Sequence, residues 1–434
     1  MLAILAPLGA LLLAVGILGL GHGMLGTLVP LRLAADGFAP LTVGIVVAGF
    51  FGGLVAGALA CPVLIRRVGH IRAFAGFAAM LAAATLALPL AVEPAAWGPL
   101  RFLYGASFAG LVMSIESWLN AASPNPWRGR VLASYMILYY GALGGGQLLL
   151  NLYDIKGSAL FELGAMMLAL SIVPVALSRV SAPALKVPKR RSLGDLIAVS
   201  PLAVVGNFGA GLVLGSFYGL TPVFGQSLGL GTREIAFMMA LTILGGLALQ
   251  WPIGVIADRV GRRIVIIAVA TALAAASLAI AVLGDMGFEL LLLLLAAFGG
   301  ASFTLYPLCL AHSADFLEET DDFVSVSSGM LLAFAVGAAI GPLIAGQALE
   351  LANASGLFLF TAAVGIAIAL FGLWRTTRRA TVPVEEQEAY VPVPRSTPAV
   401  FALDPRARAG EEEDAESADA PGPDDEAPES GQRD

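Results

Sequence analysis

Apolar residues along this chain fall into blocks of twenty or more, separated by short linkers that hold most of the charge. Leu2 to Val29 and Leu41 to Ile65 contain no Asp, Glu, Lys or Arg, and neither do Ala73 to Val92, Phe102 to Ile115 or Ile264 to Leu283. A helix needs about 20 apolar residues to cross the hydrocarbon core of a bilayer. In lipid every backbone polar group must be satisfied inside the segment, so blocks of this length are helices. A membrane barrel would instead show short alternating segments. The pattern predicts twelve spans, at 4–29, 41–65, 73–92, 99–120, 131–152, 158–178, 199–225, 233–257, 264–283, 288–311, 325–349 and 356–374. The first block lacks a basic start and is followed almost at once by a second, so it reads as an uncleaved first helix rather than a secretion signal.

Composition excludes a soluble domain. With 58% hydrophobic residues, 13% charged residues and a mean hydropathy of +0.86, the chain lies far from the roughly 45–50% apolar and 25% charged average of soluble folds. The two cysteines, Cys61 and Cys309, sit in separate apolar blocks and suggest neither a disulfide nor a metal framework. The net charge of −7 hides two opposite regions: Thr381 to Asp434 holds 15 Asp/Glu against 4 Arg, and the rest holds 16 Asp/Glu against 20 Lys/Arg.

Basic residues concentrate on alternate linkers. Arg66, Arg67 and Arg72 follow span 2, Arg128 and Arg130 follow span 4, and Arg179, Lys186, Lys189, Arg190 and Arg191 follow span 6. Arg259, Arg262 and Arg263 follow span 8, and Arg375, Arg378 and Arg379 follow span 12. The opposite linkers contribute only Arg32, Lys156 and Arg233, with Arg101 at a boundary. Basic loops mark the cytoplasmic side, which places both termini there. The linker after span 10 is acidic, and acidic residues contribute little to orientation.

The chain also repeats itself. Gly105-Ala106-Ser107-Phe108 recurs as Gly300-Ala301-Ser302-Phe303 at a shift of 195, and Val68-Gly69 recurs as Val260-Gly261 at a shift of 192. Pro30 matches Pro222, Gly141 and Gly145 match Gly337 and Gly341, and Leu160-Phe161 matches Leu357-Phe358. Nearly equal shifts imply two halves of the same topology, as in parallel repeats about an axis along the membrane normal. The expected fold is therefore an all-α integral membrane protein of twelve transmembrane helices in two pseudo-symmetric six-helix halves. Its division is a first half over 1–180, a cytoplasmic linker over 181–198, a second half over 199–378 and an acidic tail over 379–434. The tail is rich in Pro, Glu, Asp and Ala, a composition that predicts a solvated, disordered cytoplasmic extension.

The string Gly254-Val-Ile-Ala-Asp258-Arg259-Val-Gly261-Arg262-Arg263 lies in a linker between two spans. It resembles motif A of the major facilitator superfamily. Gly261 permits a tight turn, and Asp258 can pair with the positive N-terminus of a neighbouring helix. The equivalent first-half string keeps Gly69 but carries Arg66 where the acid would be. Arg101-Phe-Leu-Tyr-Gly105 resembles the core of motif B, whose arginine is linked to proton handling in proton-coupled members. Glu116-Ser-Trp-Leu-Asn120 with Arg128-Gly-Arg130, and Gln250-Trp-Pro-Ile-Gly254 leading into motif A, are similar to the YcaD-type branch. These likenesses extend over about residues 1–378 and exclude the tail. Gly141-x-x-x-Gly145 and Gly337-x-x-x-Gly341 are spacings that let helices pack closely.

The resemblance implies that spans 1, 4, 7 and 10 line a cavity. The candidate lining groups are His22, Arg101, Tyr104, Asn207, Tyr218, Ser302 and Tyr306, few and scattered among apolar residues, as suits a mildly amphipathic solute. Glu116 joins them as an ionisable residue within a span, functional by default, with a structural ion pair to Arg128, Arg130 or the loop after span 2 as the alternative. Histidine titrates in the physiological range, which suits a proton or substrate switch at His22, and a lone neutral histidine hydrogen-bonded between Gly21 and Gly23 is the equal alternative. The gating candidates are Gly254, Asp258, Arg259, Gly261, Arg262 and Arg263. No nucleotide loop, metal cluster or nucleophile motif is present, so neither an enzyme activity nor a cofactor is expected, and a proton gradient is the expected energy source. The expectation is a monomeric secondary transporter of a small organic solute in a bacterial inner membrane, proton-coupled and exporting, without nucleic-acid partners. Uptake, and a receptor or scaffold acting through the tail, are the alternatives.

Overall fold

The computed structural model describes residues 2–123, 127–177, 191–283, 287–317, 322–387 and 389–408. Among them the secondary structure is helical throughout, running α1 (Leu2–Ala35), α2 (Pro40–Val68), α3 (His70–Ala87), α4 (Pro94–Ala122), α5 (Arg128–Gln147), α6 (Ala159–Leu170) and α7 (Ile172–Ala176). A short α8 (Leu193–Val199) precedes α9 (Pro201–Ser227), α10 (Thr232–Val260), α11 (Arg262–Leu283), α12 (Phe288–Ala314), α13 (Phe323–Ala352) and α14 (Ser355–Thr376). The stretch 178–190, which holds much of the expected linker, lies outside the described residues.

Among the described residues eleven helices are long and apolar enough to cross a membrane, with α6 and α7 counted as one. That span breaks at Ser171 because Pro174 has no N–H to offer the Leu170 carbonyl. The twelfth expected span is α5. It is the most polar of the set, carrying Arg128, Arg130, three tyrosines and Gln147. Its polar groups turn inward, with Tyr135, Tyr140 and Gln147 buried, and its 20 residues span about 30 Å.

Helix pairing repeats between the halves. In the first half α2 packs on α4, α1 on α5 and α3 on α6; in the second α10 packs on α12, α9 on α13 and α11 on α14. The glycine contacts repeat as well. A Cβ on Gly341 would lie 2.2 Å from the Leu212 carbonyl oxygen, and one on Gly146 would lie 2.2 Å from that of Leu20. The positions differ by 195 and 192, the shifts already present in the sequence. The second-half Gly337 and Gly341 thus do bring helices together. In the first half the counterpart of Gly341 is Gly146 rather than the expected Gly145, and Gly141, the expected counterpart of Gly337, has open space beside its Cα.

The halves meet through α2 with α13, α5 with α10 and α1 with α9. These contacts lie toward the face opposite the basic linkers. Leu41 N–H donates to Glu350 Oε1 at 3.0 Å, a Cβ on Gly346 would strike the Leu41 backbone at 2.8 Å, and Gly144 faces Leu244. The bundle is therefore sealed at that face and splayed at the basic face.

The described part of the tail corrects the disordered extension expected from Thr381 onward. Short 3-10 turns at Val384–Glu386, Pro398–Leu403 and Pro405–Arg408 run between the splayed halves, the second against α4, α5 and α13. Val393, Val400, Phe401 and Leu403 are fully buried, and burying a side chain of this kind contributes about 1.5–3 kcal/mol. The acidic average over 379–434 concealed this apolar segment. Residues 409–434, which carry the charge runs, lie outside the described residues.

Candidate functional site

A cavity of about 100 Å³ lies between the halves. Its polar lining comes from His22 on α1, Arg101 on α4, Tyr139, Tyr140 and Gln147 on α5, Tyr218 on α9 and, on the basic side, Arg395 and Ser396 of the tail. Arg101 sits two turns into α4 from the sealed face, buried, its guanidinium 5.0 Å from the Phe50 ring and 4.9 Å from the Tyr104 ring. Its Nε has no hydrogen-bond partner among the described residues. His22 Nδ1 lies 3.1 Å from the Tyr104 hydroxyl, and the imidazole stacks on Phe108 at 4.1 Å. His22, Arg101 and Tyr104 thus form one cluster, built by the facing of α1 and α4.

Glu116 stands fifteen residues beyond Arg101 on α4, about 22 Å toward the basic face. It is fully buried. The alternative of an ion pair with Arg128 or Arg130 is not what surrounds it. Tyr135 donates its hydroxyl to Oε1 at 3.1 Å, and the tail supplies two more donors, the Ser396 hydroxyl to Oε1 and the Thr397 hydroxyl to Oε2. Arg128 instead donates to the carbonyls of Ser123 and Ala402.

The remaining expected lining groups divide. Tyr218 faces the cavity, its ring edge-on to Phe303. Ser302 bonds back to the Gly299 carbonyl of its own helix at 3.3 Å. Tyr306 packs edge-on against Phe334 at 5.2 Å with its hydroxyl unpartnered among the described residues. Both amide atoms of Asn207 are likewise buried without partners. None of these three lines the cavity.

At the α10–α11 turn Gly261 takes φ +100°, which only glycine adopts readily. Asp258 does not meet the N-terminus of a neighbouring helix, as expected; that of α13 is already capped by Asp322. Both Asp258 carboxylate oxygens accept the Tyr390 backbone N–H at 3.0 Å, and Arg262 lies 3.6 Å away. Arg262 is buried and pairs with Asp315 while donating to the Ala311 carbonyl. Arg263 donates to the carbonyls of Arg379 and Ala380, and Arg259 is exposed. The Tyr390 ring lies on Gly254, where a Cβ would come within 2.1 Å of it. Burial raises the Tyr390 hydroxyl above its ordinary range.

Sequence reasoning missed the tail. Tyr390, Ser396 and Thr397 contact two of the features singled out from the sequence, the Gly254–Asp258 motif and Glu116, and the readable signal was the Val-Pro-rich run 390–403 set against the charged run that follows. It also missed Tyr140, Phe303 and Phe334, whose aromatic rings alone look like core.

The model of the Major Facilitator Superfamily matches residues 11–314 and 203–405. The chain is 30% identical over 380 residues to the MFS-type transporter YcaD of Escherichia fergusonii, covering 87% of this chain and 98% of that protein. It is 31% identical over 382 residues to YcaD of Salmonella newport, with the same coverage. Among solved structures, the nucleoside transporter NupG superposes with a TM-score of 0.67 at 14% identity, covering 85% of this chain and 100% of that one. A bacterial homolog of the human lysosomal transporter Spinster, in an inward-facing and occupied conformation, superposes with a TM-score of 0.68 at 12% identity, covering 87% and 97%. Two six-helix halves around a shared cavity, the family model and the YcaD relatives agree: the chain belongs to the Major Facilitator Superfamily.

Proposed function

We propose that the chain is a secondary active transporter that moves a small organic solute across a bacterial inner membrane by alternating access, with the basic face and both termini in the cytoplasm. The observation that carries this reading is the cavity between two six-helix halves that seal at one face and splay at the other. The orientation follows the basic linkers. The sparse polar lining suits an amphipathic solute, with export as the favoured direction. Protons drive the cycle through Glu116, an ionisable group that is costly to bury unless it is paired or protonated. The test is pH-driven flux and counterflow in the same liposomes. Glu116→Gln is expected to abolish proton-driven accumulation and spare counterflow. Loss of both in monodisperse protein makes Glu116 a structural or binding residue, and undiminished pH-driven flux removes it from the mechanism.

A receptor that signals by releasing its tail is the second reading, favoured by the docking of 389–408 inside the bundle. Deleting residues 382–434 separates the two. A transporter keeps or gains flux, whereas a receptor has none in either form.

A further inference from the structure

Arg395 enters the central cavity from the basic side and is held there like a ligand. Its guanidinium lies 4.7 Å from the Phe303 ring centroid, 5.6 Å from that of Tyr140 and 5.8 Å from that of Phe334. It donates to the Phe303 carbonyl at 3.0 Å and to the Tyr140 hydroxyl at 3.0 Å. The adjoining Ser396 and Thr397 donate to the Glu116 carboxylate. We propose that this aromatic site is a binding subsite for organic cations of the guanidinium or protonated-amine class, and that residues 390–403 are an internal pseudosubstrate that competes for it. The inference rests on the transporter reading above and names its substrate class and its regulation.

The site is electron-rich on every side that Arg395 touches. Ring faces carry negative quadrupole density, and several rings around one cation form the arrangement by which proteins bind organic ammonium groups. The Phe303 carbonyl is available for a structural reason: Pro307, four residues on within α12, has no N–H to donate to it. It accepts instead from Arg395 and, at 3.4 Å, from Gln250. When the segment leaves, this carbonyl loses its main donor and Glu116 keeps only Tyr135. Each acceptor is then short of a donor, and a ligand bearing N–H groups and a positive charge can supply it. The rest of the lining, including Val47, Phe51 and Leu214, is apolar and fits a hydrophobic body behind the cationic head. Arg101 stacks on a separate pair of rings, Phe50 and Tyr104.

The segment is tethered so that it can leave. Residues 377–386 between α14 and the docked portion are mostly exposed. A short tether of this kind holds its end at an effective concentration of about millimolar, enough to mask a site of moderate affinity without closing it permanently.

The experiment titrates benzylguanidinium, with benzoate and benzyl alcohol as controls, into the full chain in lipid nanodiscs. Arg395→Ala is expected to bind benzylguanidinium at least tenfold tighter than the unaltered chain. Adding Phe303→Ala to that variant is expected to reverse the gain, and a synthetic peptide of residues 390–403 is expected to compete with benzylguanidinium in Arg395→Ala. Equal benzylguanidinium affinity in the unaltered chain and in monodisperse Arg395→Ala overturns the proposal. So does benzoate binding that Arg395→Ala weakens, which would make Arg395 part of an anion site. Spin labels at the exposed positions 130 and 259 report separately on opening of the basic face. With the labelled chain in liposomes, a distance that changes under a pH gradient without cation binding sinks only this inference. One fixed distance in both chains sinks the transporter reading beneath it.

Discussion

The α2–α3 turn and the α10–α11 turn occupy equivalent places in the two halves and share a backbone. Gly69 sits at φ 84°, ψ 156° and Gly261 at φ 100°, ψ 132°. Their side chains share almost nothing. In the second half Arg262 is buried against Asp315, and Asp258 clamps the tail. At the matching first-half positions stand His70, Asn120 and Arg66. Arg66 is exposed, and His70 Nε2 and Asn120 Oδ1 are buried without partners among the described residues. The turn geometry was kept in both halves, whereas the charged lock exists in one. The single tail docks on that half's lock and inserts across the cavity to the first half's Glu116. The side-chain contacts at the basic face are thus asymmetric despite the symmetric frame.

The largest expected difference between the halves concerns the buried pair. Asp315→Ala leaves Arg262 a buried charge with a weakened set of partners. Removing one member of a buried pair costs about 3–5 kcal/mol, and the Ala311 carbonyl that Arg262 retains places this case at the lower end. Asn120→Ala removes an oxygen that accepts no hydrogen bond among the described residues and is expected to cost less than about 1 kcal/mol. Thermal unfolding of the two purified variants reads this directly. Equal losses would break the comparison.

Next come the glycines, where the halves are expected to behave alike. Their φ and ψ fall near a region that only glycine occupies comfortably, and a side chain forced there costs about 1–3 kcal/mol. No atom lies within 4 Å of a Cβ built on Gly69, and only a Val384 methyl at 3.8 Å meets one on Gly261. The strain is therefore purely of the backbone, and Gly69→Ala and Gly261→Ala should lower the unfolding temperature by similar amounts. A loss confined to Gly261→Ala would mean that the tail, not the turn, sets the demand.

Asp258→Asn has a smaller effect, felt by the tail more than by the fold. The carboxylate is partly exposed, so replacing a charged acceptor of the Tyr390 N–H by a neutral one costs about 1 kcal/mol. That corresponds to roughly a fivefold rise in undocked tail. Trypsin cleavage after Arg395, followed by mass, should accelerate accordingly, while Arg66→Gln leaves it unchanged.

The frame was legible because its determinants are local. Span length, basic linkers, the recurring Gly-Ala-Ser-Phe string and Gly261 each report on their own segment. The cavity was half legible for the same reason: His22, Arg101 and Tyr218 lie on faces that the family pattern predicts, whereas Ser302 and Tyr306 are on the right helix but packed away from the cavity. The tail was not legible by average composition. Val393, Val400, Phe401 and Leu403 are only four buried side chains in a segment dominated by acid and proline. Their meaning depends on a gap between halves that no stretch of sequence encodes alone. Likewise, Gly146 rather than Gly145 makes the close backbone approach to α1 because helix register is set by the partner helix, and the two candidates are one residue apart in sequence.

The smallest expected effect restores the missing acid. Arg66→Asp places a carboxylate where the second half has Asp258, four residues before His70 as Asp258 is before Arg262. In the second half that spacing leaves the charges 3.6 Å apart with the acid about one-third exposed. Ion pairs this exposed contribute about 0.2–1 kcal/mol, and His70 is a weaker partner than an arginine because it is charged only at lower pH. The variant should therefore unfold within about 0.5 kcal/mol of the unaltered chain and show no change in trypsin cleavage of the tail, since Tyr390 remains on Asp258. Such a result means that asymmetry at the basic face comes from the buried Arg262–Asp315 lock and the docked segment, not from the lost acid. A large rise in tail release would instead mean that a second acidic turn draws the segment away from the first. The two turns would then be competing sites for one segment, rather than one site and one bare scaffold.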